Sequence, residues 1–114
     1  MTKRYDLEDR TLNFSKRIVS FIRQLPKTIA NLEYAKQLAR SAGSIGANYR
    51  EANESLGKKD FMMRVKIARK EAKETFYWLQ LVESVAPERE EHQKLMQESI
   101  ELKKILSSII EKSQ

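Results

Sequence analysis

Residues 61–82 read Phe61-Met62-Met63-Arg64-Val65-Lys66-Ile67-Ala68-Arg69-Lys70-Glu71-Ala72-Lys73-Glu74-Thr75-Phe76-Tyr77-Trp78-Leu79-Gln80-Leu81-Val82. Apolar or small residues return at Phe61, Val65, Ala68, Ala72, Thr75, Leu79 and Val82, in alternating steps of four and three. A strand would repeat every second residue, so this rhythm is the seam of a helix lying lengthwise against other helices. The spacing predicts a helix over about 59–85.

Three breaks frame this segment and its neighbours: Leu25-Pro26-Lys27, Leu56-Gly57-Lys58 and Ala86-Pro87-Glu88. Proline lacks the backbone N–H that a helix interior needs, and it pushes the preceding residue out of helical geometry. Gly57 suits the left-handed conformation that ends many helices. Between the breaks the pattern predicts a first helix over about 7–24 and a second over about 31–55, with Asn31 as its N-cap. A fourth is expected over about 87–112, with Pro87 in its opening turn. The first stripe is Leu7, Phe14, Ile18, Phe21 and Leu25, widened by Leu12, Val19 and Ile22. Tyr34, Leu38, Ala42, Ile45, Tyr49, Ala52 and Leu56 form the second, and Leu95, Ser99, Leu102, Leu106 and Ile109 the fourth, supported by Ile105 and Ile110. Short connections force neighbours to run in opposite directions. The expected fold is therefore all-α: one antiparallel, up-down-up-down four-helix bundle over residues 1–114.

Composition agrees. With 3 Gly, 2 Pro and 33% charged residues, the chain favours long surface helices over disorder or a β-sandwich. It has no cysteine, which excludes disulfides and thiolate metal sites. No apolar run approaches the roughly 20 residues that cross a bilayer. Met1–Arg10 is charged where a signal peptide is apolar. A cytoplasmic protein without membrane contact is expected.

The net charge of +6 is unevenly spread. Residues 34–73 carry ten Lys/Arg against four Asp/Glu, whereas residues 74–114 carry five against eight. Within the excess, Lys59, Lys66 and Lys73 recur at heptad spacing along one edge of the third helix, flanked by Arg69 and Lys70. Arg50 and Lys58 extend the patch if the second helix lies alongside. Such a line of cations can follow a phosphate backbone, giving affinity without sequence reading. The alternative is an ordinary solvated helix face. Off the main seam of the same helix, Met63, Ile67, Trp78 and Leu81 form a second apolar stripe. Exposed apolar surface of this kind marks an interface, so self-association through this side is expected unless another helix of the chain covers it. On the second helix Ala35, Ala39, Gly43 and Gly46 share one sector. Glycine costs roughly 1 kcal/mol against alanine inside a helix, so close helix packing is the expected reason for this pair.

The inventory for catalysis is thin. His92 is the only histidine, expected to be exposed beside Glu90 and Glu91. Glu-x-x-His, the bundle di-iron signature, does not occur, nor does a phosphate-binding glycine loop, a nucleophile elbow or zinc spacing. Glu71 and Glu74, with Asn48 and Glu51, can bring carboxylates together, and a metal site there is the weakest of the readings. Ion pairs with Arg40, Arg64 and Arg69 that set helix register are the expected arrangement. No catalytic residue, metal or cofactor is assigned.

The run Gln37-Leu38-Ala39-Arg40-Ser41-Ala42-Gly43-Ser44-Ile45-Gly46-Ala47-Asn48-Tyr49-Arg50-Glu51-Ala52 resembles the signature of a family of small bacterial four-helix-bundle proteins, among them those encoded in intervening sequences of 23S ribosomal RNA genes. Lys59-Asp60-Phe61 and Ile67-Ala68-Arg69-Lys70-Glu71-Ala72-Lys73-Glu74-Thr75-Phe76-Tyr77-Trp78-Leu79 are similar to it too, and the likeness extends over about 5–112. The resemblance implies a bundle that assembles into a ring, typically a pentamer. It also implies kinship with the accessory proteins of retroelements, basic barrels that bind nucleic acid and a reverse transcriptase. No motif here belongs to that subgroup, so its partners do not carry over. By the same resemblance Arg40, Ser41, Ser44, Ile45, Asn48, Glu51, Glu71 and Glu74 form a registration network between helices or subunits. Two functions are therefore expected in competition: an oligomeric, non-enzymatic module binding RNA or DNA through the basic edge, or a scaffold for a protein partner with no nucleic-acid role.

Overall fold

The structure, a computed structural model, describes residues 4–114. The described residues form four helices, α1 (Arg4–Gln24), α2 (Ile29–Asn53), α3 (Lys58–Leu81) and α4 (Arg89–Ser113), and no strand. They pack into a bundle 44 × 25 × 18 Å across. The four stripes meet in one core: Leu7, Phe14 and Ile18 from α1, Leu38 and Ile45 from α2, Val65 and Leu79 from α3, and Leu95, Leu102 and Leu106 from α4 are all fully buried. Each such side chain contributes about 1.5–3 kcal/mol of burial.

Polar pairs fix the order of contact. From α2 to α3 the partners are Arg40–Glu71, Ser41–Thr75 and Asn48–Arg64, so numbers broadly fall along α3 as they rise along α2. From α1 to α4 two guanidinium–carboxylate forks do the same: Arg10 reaches Glu98 through two bonds of 2.7 Å, and Arg17 reaches Glu91 through two of 3.1 Å. Each carboxylate raises its arginine's pKa, chiefly through the hydrogen bonds. Between α1 and α2, Asn53 Nδ2 donates to Glu8 at 2.8 Å.

Gly46 explains the small-residue sector of α2. A Cβ built there lies 2.9 Å from Thr11 Oγ1 and 3.2 Å from Thr11 Cβ, so α1 has come as close as glycine allows. Gly43 is different: its Cβ would meet only Ser15 Oγ, at 3.8 Å.

The helix ends depart from expectation. Thr28, not Asn31, caps α2, its hydroxyl accepting the Asn31 N–H at 3.1 Å. Asn31 lies buried inside the helix and clamps two loops: Nδ2 donates to the Pro26 and Glu83 carbonyls, and Oδ1 accepts the Glu83 N–H. That clamp occupies the Glu83 backbone, and α3 stops at Leu81 rather than near residue 85. Gly57 is extended (φ −151°), serving as the N-cap of α3 and not as a left-handed terminator of α2. Leu56 sits beyond the end of α2 and is wholly exposed, outside the core it was expected to join. Pro87 lies in a turn after a cis Ala86–Pro87 bond, and α4 begins two residues later. His92 is half-buried, contrary to expectation. Its Nε2 lies 2.6 Å from the Leu79 carbonyl, and since a carbonyl only accepts, Nε2 carries a proton. Nδ1 lies 2.8 Å from Ser84 Oγ, and the ring rests 5.0 Å from that of Phe21. The histidine thus caps the end of α3 from α4.

Candidate functional site

Helix α3 is flanked by α2 on one side and α4 on the other, and its two edges differ in charge satisfaction. The edge facing α2 is neutralised. Arg40 Nη1 lies 3.2 Å from Glu71 and Nη2 lies 3.5 Å from Glu74, so one guanidinium stands where a cation shared by the two carboxylates would sit. Below it Thr75 Oγ1 lies 2.9 Å from Ser41 Oγ, which in turn lies 3.3 Å from the Leu38 carbonyl. Arg64 donates to Asn48 Oδ1 at 3.2 Å, and Asn48 Nδ2 donates to the Ser44 carbonyl at 2.9 Å. Ile45 is fully buried in the core, whereas Glu51 is exposed and stands outside the network. Among the described residues no group of three or more His, Cys, Asp or Glu is placed to hold a metal.

The edge facing α4 is not neutralised. Lys66, Arg69, Lys70 and Lys73 of α3 and Lys103 of α4 line an open groove with Glu74 and Ser107. Among the described residues, none of these five cations is held in an ion pair, and the one carboxylate of the groove already faces Arg40. Five like charges within about one helix-length repel one another, and a polyanion relieves that repulsion. Lys103 was not found by sequence reading because only the packing of α4 on α3 brings it there. Its one sequence signal is the Lys103-Lys104 pair in an otherwise acidic final third. Lys58 and Lys59 lie farther along and, with Lys66 and Lys70, rim an apolar groove floored by Met62, Met63 and Ile67 at the start of α3, so Lys66 and Lys70 border both grooves. Arg50 is placed elsewhere: its Nη1 lies 3.7 Å from Glu8 on the α1 side of α2.

The second apolar stripe of α3 splits in two. Met63 is 48% exposed and Ile67 half-buried. Trp78 and Leu81 are also half-buried, but Trp78 is stacked on Tyr34 of α2 at 5.9 Å and packs against the core. Its indole N–H is buried with no hydrogen-bond partner. Tyr77, 55% exposed, meets the indole edge-on at 5.1 Å. On α1, Leu12 and Val19 lie at the surface rather than in the core they were expected to widen. No helix among the described residues is long and apolar enough to cross a membrane.

The model of one protein family, described as 23S rRNA-intervening sequence protein, matches residues 3–108. Among solved structures, a protein of unknown function from the S23 ribosomal protein family of Bacteroides thetaiotaomicron VPI-5482 is 35% identical and superposes with a TM-score of 0.80. The match covers 96% of this chain and 99% of that one. Curated proteins yield no match.

Proposed function

This chain belongs to the 23S rRNA-intervening sequence protein family, and on that premise we propose that it is a non-catalytic, homo-oligomeric module that holds nucleic acid, RNA first, in the groove between α3 and α4. One observation carries the reading: Lys66, Arg69, Lys70, Lys73 and Lys103 converge on one surface without carboxylate partners among the described residues. A face built only for solubility interleaves both signs. Contacts of this kind are to phosphate, so binding is weakly sequence-specific and steeply dependent on salt. The antiparallel order of all four helices sets Lys103 opposite the α3 lysines, and the bundle works as the unit of a ring, pentameric by family resemblance, in the cytoplasm.

Assembly is proposed at the Met63 and Ile67 end of α3, since Tyr34 of the same chain covers much of Trp78. The test is retention on structured RNA. Replacing Lys66, Lys70 and Lys73 together by Glu should abolish retention with helicity unchanged. For the native protein, the log of affinity against log salt should fall with a slope of about −4 to −5 if five duplex phosphates are neutralised. Undiminished retention in the triple variant would remove the reading. A second reading, a scaffold for a protein partner, is favoured by the apolar floor of Met62, Met63 and Ile67. A partner held there survives nuclease and moderate salt.

A further inference from the structure

Tyr77 shares the outward side of α3 with the lysines of the groove, four residues beyond Lys73 and seven beyond Lys70. Residues three, four and seven apart fall on one helix face, so the phenol continues the cationic line. Helical rise puts Tyr77 about 16 Å along the axis from Lys66. The residue is more than half exposed, so part of its apolar surface is left without a partner in this chain. It is nonetheless backed by other rings. Trp78 meets it edge-on at 5.1 Å and interplanar 68°, and Trp78 itself is stacked on Tyr34 at 5.9 Å and 30°. Three rings from two helices thus form a buttress whose outermost member faces water.

An exposed aromatic backed by two further rings at the end of an unpaired cation line is the combination that binds single strands: cations track phosphates and the ring stacks a base. A duplex hides its base faces within its own stack and can use only the cations. We infer that Tyr77 is a stacking platform for an unpaired base, and that the nucleic acid held by this protein is single-stranded or looped at that point. This rests on the polyanion reading above and narrows it. It commits the groove to a direction, with backbone along Lys66, Lys70 and Lys73 and an unstacked base at Tyr77. The apolar floor at Met63 is about 21 Å away along the same helix, so assembly there leaves Tyr77 itself open, while Lys66 and Lys70 border that floor as well.

The experiment compares a fluorescently labelled short oligouridylate with a blunt RNA duplex carrying the same label, by anisotropy, using the full chain. Trp78, the only tryptophan, supplies a second readout from within the site. The native protein should prefer the single strand, and its tryptophan emission should change on binding the unlabelled oligouridylate. Tyr77→Leu should weaken single-strand binding about tenfold, which is within the worth of one stacked base. Duplex binding should hold, since leucine keeps the apolar contact but offers no π-face. Tyr77→Phe should restore the preference. Equal binding of both nucleic acids, unmoved by Tyr77→Leu and silent in tryptophan emission, would overturn the platform and leave the polyanion groove standing. Failure to bind either one at low salt would overturn both.

Discussion

Two glycines on one helix should answer the same substitution with opposite sign. Alanine is favoured over glycine inside a helix by about 1 kcal/mol. At Gly43 the new methyl meets only Ser15 Oγ at 3.8 Å, an ordinary contact, so Gly43→Ala should stabilise by about 0.5–1 kcal/mol. At Gly46 the methyl would lie 2.9 Å from Thr11 Oγ1 and 3.2 Å from its Cβ. Thr11 cannot yield cheaply. It is fully buried, and its hydroxyl lies within hydrogen-bonding distance of the Leu7 and Glu8 carbonyls, at 2.9 and 3.0 Å. Rotating it away forfeits about 1 kcal/mol of hydrogen bonding, and prising α1 from α2 costs about 1–3 kcal/mol. Set against the propensity gain, Gly46→Ala should destabilise by about 1–3 kcal/mol. The variants should then differ by about 2 kcal/mol or more, which is about 8 °C or more in Tm for a domain of this size. Thermal and urea melts at one protein concentration measure this, because self-association makes apparent stability concentration-dependent. Adding Thr11→Ala to Gly46→Ala should recover part of the loss. If both glycine variants shift the melt equally and in the same direction, the close approach of α1 and α2 at Gly46 is refuted.

Other perturbations separate the remaining contacts. Asn31→Ala removes three hydrogen bonds and leaves the Glu83 N–H without its partner, so urea melts should show a loss of about 2–4 kcal/mol. Arg10→Ala and Arg17→Ala sever forks whose arginines are more than a third exposed, and each should cost under about 1 kcal/mol despite the good geometry. Leu102→Ala, at the centre of the core, should cost about 2–5 kcal/mol in the same assay. Light scattering at micromolar concentration should give a multiple of the 13.4 kDa chain mass, and Met63→Glu with Ile67→Glu should reduce it to one chain. An oligomer unaffected by that pair would move the interface to another face, with Leu12 and Val19 of α1 next in line.

What the sequence determined by itself was the set of helices and the identity of their buried stripes. Heptad spacing is a property of a single helix, so Leu7 to Phe21, Leu38 to Ala52, Val65 to Leu79 and Leu95 to Leu106 were legible without knowing what they pack against. The cost of Gly43 and Gly46 within a long helix pointed to a close approach, but the sequence did not say which of the two makes it: Gly46 does and Gly43 does not. The helix ends were less legible: Asn31 suited a cap by local chemistry, but its partners are Pro26 and Glu83, the latter in the loop that follows α3. For the same reason His92 looked exposed from its acidic neighbours, while its actual company, Leu79, Ser84 and Phe21, lies on other segments. Which charges are spent depended on how the helices pack. Arg50 looks as available in the sequence as Lys66 or Lys70, yet a carboxylate from α1 meets it. Packing also brought Lys103 to the groove from the acidic third of the chain and set Trp78 behind Tyr77 as a buttress. Periodicity tells which way a side chain points; it carries no record of the side chain that arrives from another helix, and pairing depends on that second group.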